Sequence, residues 1–322
     1  MRSGVRIILM FAIVAHMSAC AAHIDRPYPV AHVDVAVETA HSGTIEVRAS
    51  YPEGVADRFP VIVFSHGHYL TNDAYDALTK KWVEQGFVVL APQHMDTGDR
   101  ARVAKITEDV GSDWIAAARI LDIKASLDQI DRLMASMIGF TGQVSTNRVI
   151  AAGHSLGALT AQLLGGATLE KQNDSRYPMP SMLRDDRVIA VVAISPPGEM
   201  PGYLTRKTWE GFDMPQLVIT GTRDVFEYLW PDYRAHLVSY LTAEPGHNYL
   251  LVLDGMDHYM GGVIGRLDRP GPRQWDARDS AAEAALLFMH RYLDGREQSP
   301  ASQHLTKAMG SPMAGVLRYE QR

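Results

Sequence analysis

The sequence has 322 residues and a single cysteine, Cys20, and this scarcity excludes several kinds of chemistry. No disulfide can form within the chain, and no thiolate is left in its body to act as a nucleophile or a metal ligand. A basic excess is also lacking, because 31 Lys and Arg stand against 37 Asp and Glu, a net charge of −6. Nucleic acid is therefore not expected as a partner.

The N-terminal apolar stretch, residues 5–14, is too short to span a membrane as a helix. A positive start and small residues flank it, as in an export signal. Met17-Ser18-Ala19-Cys20 resembles the lipobox of bacterial lipoproteins, in which the cysteine is lipidated and becomes the new N-terminus, although Met17 stands where leucine is usual. Residues 1–19 are therefore predicted to be a signal peptide and residues 20–30 a linker.

The resemblance to a lipobox implies a membrane partner, reached through acyl chains such as palmitate on Cys20. Because Ala21 follows instead of aspartate, we expect the outer membrane, with the protein facing the periplasm. The alternative is cleavage at the small-x-small site Ala19-Cys20-Ala21, which would release a soluble secreted protein.

Beyond the linker, buried strands alternate with helices, which predicts an α/β fold with a mostly parallel sheet covered on both faces. The catalytic domain is expected over residues 31–295, and the tail 296–322 shows no clear pattern. Segments 167–186 and 196–214 are rich in Pro, Gly and Met and form either a lid or plain surface loops. The predicted strands cover residues 32–38, 44–50, 61–64, 87–91, 148–152, 188–194, 216–220 and 249–253, and the predicted helices cover 73–85, 113–137, 156–164 and 280–293.

Gly153-His154-Ser155-Leu156-Gly157 matches the G-x-S-x-G nucleophile elbow, in which a strand turns at once into a helix. The motif alone is weak, but a predicted strand precedes it and a predicted helix follows it. Such a turn strains the backbone at the serine, and the residues two positions before and after it must lack side chains to fit. The serine Oγ then projects above the sheet. The alternative, a serine that merely caps a helix, does not explain both flanks. Ser155 is the predicted nucleophile.

A serine hydroxyl needs a base to accept its proton and a carboxylate to orient that base. Strand 216–220 leads into a loop that ends at Asp224, and strand 249–253 into a loop that ends at His258. The order Ser, Asp, His is the one this elbow predicts. Weaker candidates are histidines in predicted helices or before a strand, and other downstream aspartates: His236, His247, His290, Asp232, Asp254 and Asp257.

An oxyanion hole is predicted from two backbone N–H groups, those of His68 and Leu156. Leu156 follows the nucleophile, and His68 follows Gly67 in the loop after strand 61–64, where glycine allows a close approach. Six further side chains flank the proposed site and are candidates for an apolar substrate pocket, or else pack structurally: Tyr69, Leu70, Met95, Trp209, Met256 and Tyr259.

Together, His66-Gly67, the elbow, Thr220-Gly221-Thr222-Arg223-Asp224 and His258 resemble an α/β-hydrolase. The likeness covers roughly residues 33–293 and is to platelet-activating-factor acetylhydrolases, polyester hydrolases and exported dienelactone-hydrolase-like proteins. It implies hydrolysis of a small-molecule or lipid carboxylic ester through an acyl-enzyme, without a metal or an organic cofactor. Authentic dienelactone hydrolases use cysteine, so Ser155 argues against dienelactone turnover.

Three alternatives remain open. A serine peptidase or an acyltransferase would use the same triad. A ligand-binding lipoprotein without catalytic activity would not need one. A zinc hydrolase would draw on His66, His68, His94 and Asp96, but Leu70 stands where the related H-x-H-x-D pattern has its last ligand.

Overall fold

The computed structural model describes residues 27–170, 177, 180, 183–226, 228–293 and 315–322. Within these residues, nine strands form one sheet: β1 (Val30–Thr39), β2 (Gly43–Pro52), β3 (Arg58–Ser65), β4 (Val88–Pro92), β5 (Gln143–His154), β6 (Val188–Ile194), β7 (Gln216–Arg223), β8 (Asn248–Asp257) and β9 (Val316–Gln321). Their order across the sheet is β1-β2-β4-β3-β5-β6-β7-β8-β9. The six strands from β4 to β8 in this order are parallel, and β1, β2 and β9 run antiparallel to their neighbours.

Helices cover both faces of the sheet, as predicted. In the described residues they are α1 (Asp76–Val83), α2 (Arg100–Val110), α3 (Ser112–Asp128), α4 (Ile130–Ser136), α5 (Leu156–Gly165), α6 (Val238–Thr242) and α7 (Trp275–Leu293). Helices α1 and α7 pack on one face, and α3, α4, α5 and α6 pack on the other. None of these helices has the length and apolar character needed to cross a bilayer.

The core consists of two apolar layers, one on each side of the sheet. In β3, Val61 and Val63 face one layer, whereas Ile62 and Phe64 face the other, since successive side chains of a strand point to opposite faces. All four side chains are fully buried. Burial on both faces explains the continuous apolar runs of the central strands.

Several element boundaries differ from the sequence prediction. The helix expected over 113–137 is two helices, α3 and α4, because the backbone leaves helical geometry at Gln129. Helix α2 was not predicted, since it is largely polar and buries only Val103. Residues 316–321, assigned to a patternless tail, form β9 and pair with β8. The sheet therefore extends beyond the predicted boundary at residue 295.

The fold places the three predicted triad residues at one edge of the sheet. Ser155, Asp224 and His258 are each the first residue after a strand, following β5, β7 and β8 respectively. The carboxyl ends of parallel strands meet at the same edge, where open α/β sheets bind ligands. The loop after β3 lies beside them, because β3 is the neighbour of β5.

Candidate active site

Ser155 occupies the sharp turn between β5 and α5, and its backbone is strained. Its φ of +56° and ψ of −123° lie outside the regions that residues with a side chain readily adopt. The N–H of Ser155 donates to the carbonyl oxygen of Ile194 at 2.9 Å, which ties the turn to the neighbouring strand β6. Its side chain is partly exposed at the wall of a cavity.

The two glycines of the elbow are required by close backbone contacts. A Cβ atom on Gly153 would lie 2.2 Å from the carbonyl oxygen of Gly157. A Cβ atom on Gly157 would lie 1.9 Å from the carbonyl oxygen of Ser65, at the end of β3. No side chain fits at either position, so the glycines allow the strand, the turn and the helix to pack this closely.

Asp224 and His258 form a buried hydrogen-bonded pair. The Nδ1 atom of His258 lies 2.7 Å from Asp224 Oδ1, and the hydroxyl of Thr220 donates to Asp224 Oδ2 at 2.8 Å. Burial acts to raise the pKa of Asp224, but the adjacent histidines hold it well below its ordinary value. Nε2 of His258 has no hydrogen-bond partner among the described residues, and His258 borders the same cavity as Ser155.

The weaker acid candidates are occupied elsewhere. Asp232 caps a short 3₁₀ helix, Tyr233–Leu237, by accepting from the N–H of Arg234. Asp254 is exposed and accepts from the hydroxyl of Thr222 at 3.0 Å. Asp257 accepts from backbone N–H groups of the loop that follows it. Asp224 alone among these aspartates is hydrogen-bonded to His258.

A second histidine, His236, which the sequence offered only as a weaker candidate for the base, also contacts Asp224. Its Nε2 lies 3.1 Å from Asp224 Oδ1, and its Nδ1 lies 2.6 Å from the carbonyl oxygen of Pro196. Of the described residues, only Asp224, His236 and His258 bring three ligand-type atoms close enough together to hold a metal ion. The 2.7 Å contact between His258 and Asp224 has the length of a hydrogen bond, whereas Nε2 of His236 has no hydrogen-bond partner among the described residues.

His154, the second residue of the elbow, connects the nucleophile strand to the base. Its Nε2 donates to the carbonyl oxygen of His258 at 2.7 Å, which leaves Nδ1 to accept from the hydroxyl of Tyr75 at 2.8 Å. That same hydroxyl accepts from the N–H of Gly67 at 3.0 Å. Burial, together with the nearby His258, lowers the pKa of His154 to about 3, so its ring is neutral and holds one tautomer.

The buried guanidinium group of Arg119 anchors the loop after β3 through hydrogen bonds to its carbonyl oxygens. Its Nη1 donates to the carbonyl oxygen of His66 at 2.6 Å, and its Nη2 reaches that of Gly67 at 3.4 Å. His66 Nδ1 also donates to the Gly67 carbonyl, at 2.8 Å. In a trans peptide the next N–H points the opposite way, so the N–H of His68 is directed away from Arg119.

The second predicted donor is the N–H of Leu156. Leu156 is the first residue of α5, and the first N–H groups of a helix have no acceptor within it. Both His68 and Leu156 line the cavity beside Ser155. The side chain of His68 turns instead to Asp96, with 2.6 Å between Nδ1 and Oδ2.

The residues of the alternative zinc site form a protein-internal network instead of converging. Nε2 of His66 accepts from the N–H of His94 at 3.0 Å. The ring of His94 contacts Ser65 Oγ at 3.0 Å through Nε2 and Asp122 Oδ2 at 2.9 Å through Nδ1. Ser65, His94 and Asp122 are all buried, so this Ser–His–Asp arrangement supports the loop and is closed to substrate.

A cavity of about 1250 Å³ opens above Ser155 and His258. Of the predicted pocket residues, Tyr69, Leu70 and Tyr259 line it, and the guanidinium groups of Arg100 and Arg269 lie over the rings of Tyr69 and Tyr259. Apolar side chains that the sequence analysis did not select complete the wall: Ile115, Met200, Val225, Phe226, Leu229 and Trp230.

The other three pocket candidates do not line this cavity. Trp209 is fully buried in the core and donates from Nε1 to Gln162 Oε1 at 2.9 Å. Met256 is buried in the opposite core layer. Met95 packs beside Trp114, in a small separate cluster. Aromatic and methionine side chains near the site in sequence thus served packing in these cases.

The structure describes most of one of the two segments predicted to form a lid and only part of the other. Residues 197 and 200–203 of segment 196–214 line the cavity, whereas Phe212 and Met214 pack in the core. Segment 167–186 lies partly outside the described residues, and the predicted lipidation site, Cys20, lies wholly outside them.

Comparison with protein families agrees with this architecture. A family model described as chlorophyllase matches residues 25–173, which include the loop after β3, the elbow and α5. A comparison with curated proteins finds no match. The chlorophyllase family belongs to the α/β-hydrolases, and the sheet order, the helices on both faces and the elbow are those of that fold. The chain therefore has the α/β-hydrolase fold.

Proposed function

We propose that this protein is a serine hydrolase that cleaves carboxylic esters through an acyl-enzyme intermediate. The observation that carries the proposal is the elbow serine, Ser155, beside His258, whose Nε2 is unpaired and whose Nδ1 is hydrogen-bonded to Asp224. The similarity of residues 25–173 to the chlorophyllase family supports an ester as the substrate.

In the proposed reaction, His258 Nε2 takes the proton of Ser155 as Oγ attacks the ester carbonyl. The N–H groups of His68 and Leu156 stabilise the negative oxygen of the tetrahedral intermediate. His258 then gives its proton to the leaving alcohol, and the acyl group stays on Ser155. Water, deprotonated by His258, releases the acid and restores the serine. Asp224 holds the imidazole in the tautomer that both steps need.

The cavity supports a bulky, largely apolar ester. Its volume of about 1250 Å³ exceeds that of common ligand pockets, which hold about 300–1000 Å³. Most of the side chains that line it are apolar or aromatic, and the charged ones are exposed or partly exposed to solvent. A series of p-nitrophenyl esters from acetyl to palmitoyl measures this preference, and we expect kcat/KM to rise beyond the shortest chains.

Substitution of Ser155 tests the proposal directly. We expect Ser155→Ala to retain the fold and to lose several orders of magnitude in turnover of an aryl ester. A fluorophosphonate should label wild type at Ser155 and leave the variant unlabelled. The matched control, Ser145→Ala, removes an exposed hydroxyl on β5 and should keep wild-type rates. Full activity in Ser155→Ala, or labelling at another residue, would refute the proposal.

Assays on the wild-type protein separate the alternatives. A ligand-binding protein without catalytic activity would neither hydrolyse the ester nor react with the fluorophosphonate. A peptidase would turn over an anilide of the same acyl group at a rate comparable with the ester. An acyltransferase would transfer that group to an added alcohol in preference to water. We expect hydrolysis of the ester to exceed both competing reactions.

A further inference from the structure

The arginines and aspartates that line the cavity come from one group of segments. They follow β4 and β8 and comprise three cations and two anions: Arg100, Arg266, Arg269, Asp99 and Asp268. The described lining residues that follow β6 and β7 carry no charge, and most of them are apolar. The cavity therefore has an apolar part and a cationic part, the latter defined by the three arginines.

The two aspartates neutralise this cationic part incompletely. Asp268 pairs with Arg266, with 3.0 Å between Oδ1 and Nε. Asp99 is the N-cap of α2 and accepts from the N–H of Arg102 at 3.0 Å. The guanidinium of Arg100 lies over an aromatic ring and forms no ion pair within the described part of the chain. Its charge is therefore available to a ligand.

The charges of all three arginines act on one hydroxyl, that of Tyr259. Burial raises the pKa of Tyr259, and the positive charges of Arg266, Arg269 and Arg100 act against that rise. The guanidinium of Arg269 lies over the Tyr259 ring, 5.5 Å from its centroid, and also reaches Asp257 at 3.3 Å. The Tyr259 hydroxyl forms no hydrogen bond with another described residue, so it can donate to a ligand.

Tyr259 places the cationic part close to the reacting groups. Its ring lies edge-on to that of His258, with 4.9 Å between centroids. The loop that begins at Tyr259 crosses to the loop after β3, where the N–H of Gly265 donates to the carbonyl oxygen of Ala74 at 2.9 Å. An anion at the Tyr259 hydroxyl and an ester carbonyl at Ser155 can therefore belong to one substrate molecule.

The segment that carries Arg100 is fixed to the loop that presents the His68 N–H. The N–H of Tyr69 donates to the carbonyl oxygen of Asp96 at 3.0 Å, and the N–H of Gly98 donates to that of Tyr69 at 3.2 Å. Tyr69 has a φ of +68°, a conformation that persists only where the surrounding structure imposes it. Its ring lies against the Arg100 guanidinium, 5.9 Å from centroid to carbon.

We infer that Arg100, Arg266, Arg269 and the hydroxyl of Tyr259 form an anion-binding subsite, and that the ester substrate carries an anionic group, such as a carboxylate, as well as an apolar part. The inference rests on the proposed function for the bond that is cleaved and on the cavity for the anion. A guanidinium group donates two parallel hydrogen bonds to a carboxylate, and these are stronger than hydrogen bonds between neutral groups. The apolar part of the substrate packs against the side chains that follow β6 and β7.

Matched pairs of esters test the preference for an anion on the wild-type protein. Each pair consists of a p-nitrophenyl ester with a terminal carboxylate and one with a terminal carboxamide, which has the same shape and no charge. At the chain length that spans the distance from Ser155 to Tyr259, kcat/KM for the carboxylate should be about tenfold higher or more. High salt should reduce the difference, because the three arginines are exposed or partly exposed. Equal values at every chain length would overturn the inference.

Substitutions test which residues bind the anion. Arg100→Met, Arg266→Met and Arg269→Met each remove one charge and should reduce the carboxylate-to-carboxamide ratio several-fold. Tyr259→Phe keeps the ring, removes the hydroxyl and should also reduce the ratio. The matched control is Arg58→Met, at an exposed arginine on the first residue of β3, which should keep the wild-type ratio. Arginine variants that keep the ratio but bind anionic vesicles less tightly would show that these side chains face a membrane, and would overturn the inference.

Binding to Ser155→Ala separates this inference from the proposed function, because it needs no turnover. Calorimetry with the same pair of esters should give a Kd for the carboxylate about tenfold below that for the carboxamide. Equal Kd values would overturn the inference, even in a protein that hydrolyses esters. A difference in Kd, combined with a wild type that hydrolyses neither ester, would support the subsite and refute the proposed function.

Discussion

The guanidinium of Arg119 and the carboxylate of Asp96 form a fully buried, two-point ion pair. Nε of Arg119 donates to Oδ1 at 2.9 Å, and Nη2 donates to Oδ2 at 2.7 Å. Arg119 also donates to the hydroxyl of Ser65 and to the two carbonyl oxygens that follow β3, so the pair anchors the loop that presents the His68 N–H. Burial opposes ionisation, but Arg119 and His68 hold the pKa of Asp96 well below its ordinary range.

Removal of this cation should cost both stability and turnover. Arg119→Met leaves Asp96 buried without its partner, and such a change lowers the free energy of unfolding by about 3–5 kcal/mol. Arg119→Lys keeps the charge but loses the planar guanidinium group, so its stability should lie between those of Arg119→Met and wild type. Urea unfolding measures the stability of both variants. Lys105→Met, which breaks an exposed pair with Asp109, is the matched control and should leave stability unchanged. Equal losses in the free energy of unfolding in Arg119→Met and Lys105→Met would contradict this prediction.

Two substitutions at His68 separate its backbone from its side chain. His68→Ala keeps the N–H and loses one contact with Asp96, which remains paired to Arg119, so we expect activity within about tenfold of wild type. His68→Pro deletes the donor and should lose about 10²–10³-fold in kcat. Both variants must melt near wild type for the comparison to count. Similar losses in the two variants, or inactivation by EDTA that zinc restores, would favour the metal alternative.

The choice of acid is tested by three aspartate variants. Asp224→Asn should reduce turnover by about 10⁴-fold, because an amide favours the wrong tautomer of His258. Asp254→Asn and Asp257→Asn should be much milder, because Asp254 accepts from a threonine hydroxyl, and Asp257 contacts loop N–H groups and the guanidinium of Arg269, but neither is hydrogen-bonded to His258. Steady-state kinetics on one aryl ester provides the ranking. A larger loss at position 254 or 257 would show that the acid lies there.

Stability should fall as the pH is lowered from neutral. Burial lowers the pKa of His66, His94 and His154 below the ordinary 6.5, to about 3 for His154. The unfolded chain then binds more protons than the folded one, so the stabilisation is complete above pH 6.5 and is lost as the pH falls towards 3. Each such proton contributes a slope approaching about 1.4 kcal/mol per pH unit.

Urea titrations at pH 7.5, 6 and 5 measure this slope. His236, whose pKa is raised despite its burial, makes the slope smaller, but the three histidines with lowered pKa outnumber it. His154→Gln should reduce the slope by about one proton, whereas His247→Gln should not. Constant stability between pH 7.5 and pH 5 would contradict the prediction.

We propose that the native protein is anchored to a bacterial membrane by acyl chains on Cys20. Several chains hold a protein stably at a bilayer, whereas one binds only marginally. Wild type should partition into detergent and carry the added mass at Cys20, and Cys20→Ala should lose both properties. Recovery of wild type as a water-soluble chain that begins near Ala22 would establish the alternative, a secreted protein.

Local patterns in the sequence predicted the sheet and the order of the proposed triad along the chain. Apolar runs marked the central strands, because strands buried on both faces have no polar side. The strand assignments in turn predicted the positions of Ser155, Asp224 and His258, because each of these residues comes directly after such a strand. These signals are contained in short stretches of the chain and depend little on distant contacts.

The features that the sequence did not reveal depend on distant partners. Arg119 and Asp96 are 23 residues apart, and nothing local marks either as half of a buried pair. His236 follows a capped turn and looked like an ordinary helical histidine until Asp224 was placed beside it. Strand β9 has a weak pattern of its own and is defined by its pairing with β8. Trp209 was assigned to the pocket by its type, but its burial depends on the core.

The proposed oxyanion hole consists of main-chain donors, and this has an evolutionary consequence. Side chains at positions 68 and 156 can diverge among descendants while the N–H groups stay in place, so substrate preference can drift without loss of the chemical step. Selection instead falls on the supporting residues: a Cβ at Gly67 would lie 3.0–3.3 Å from Leu70, Tyr75 and His154, and one at Gly157 would strike Ser65. Libraries that seek new substrates are therefore best placed at positions 68 and 156, with the glycines and Arg119 left constant.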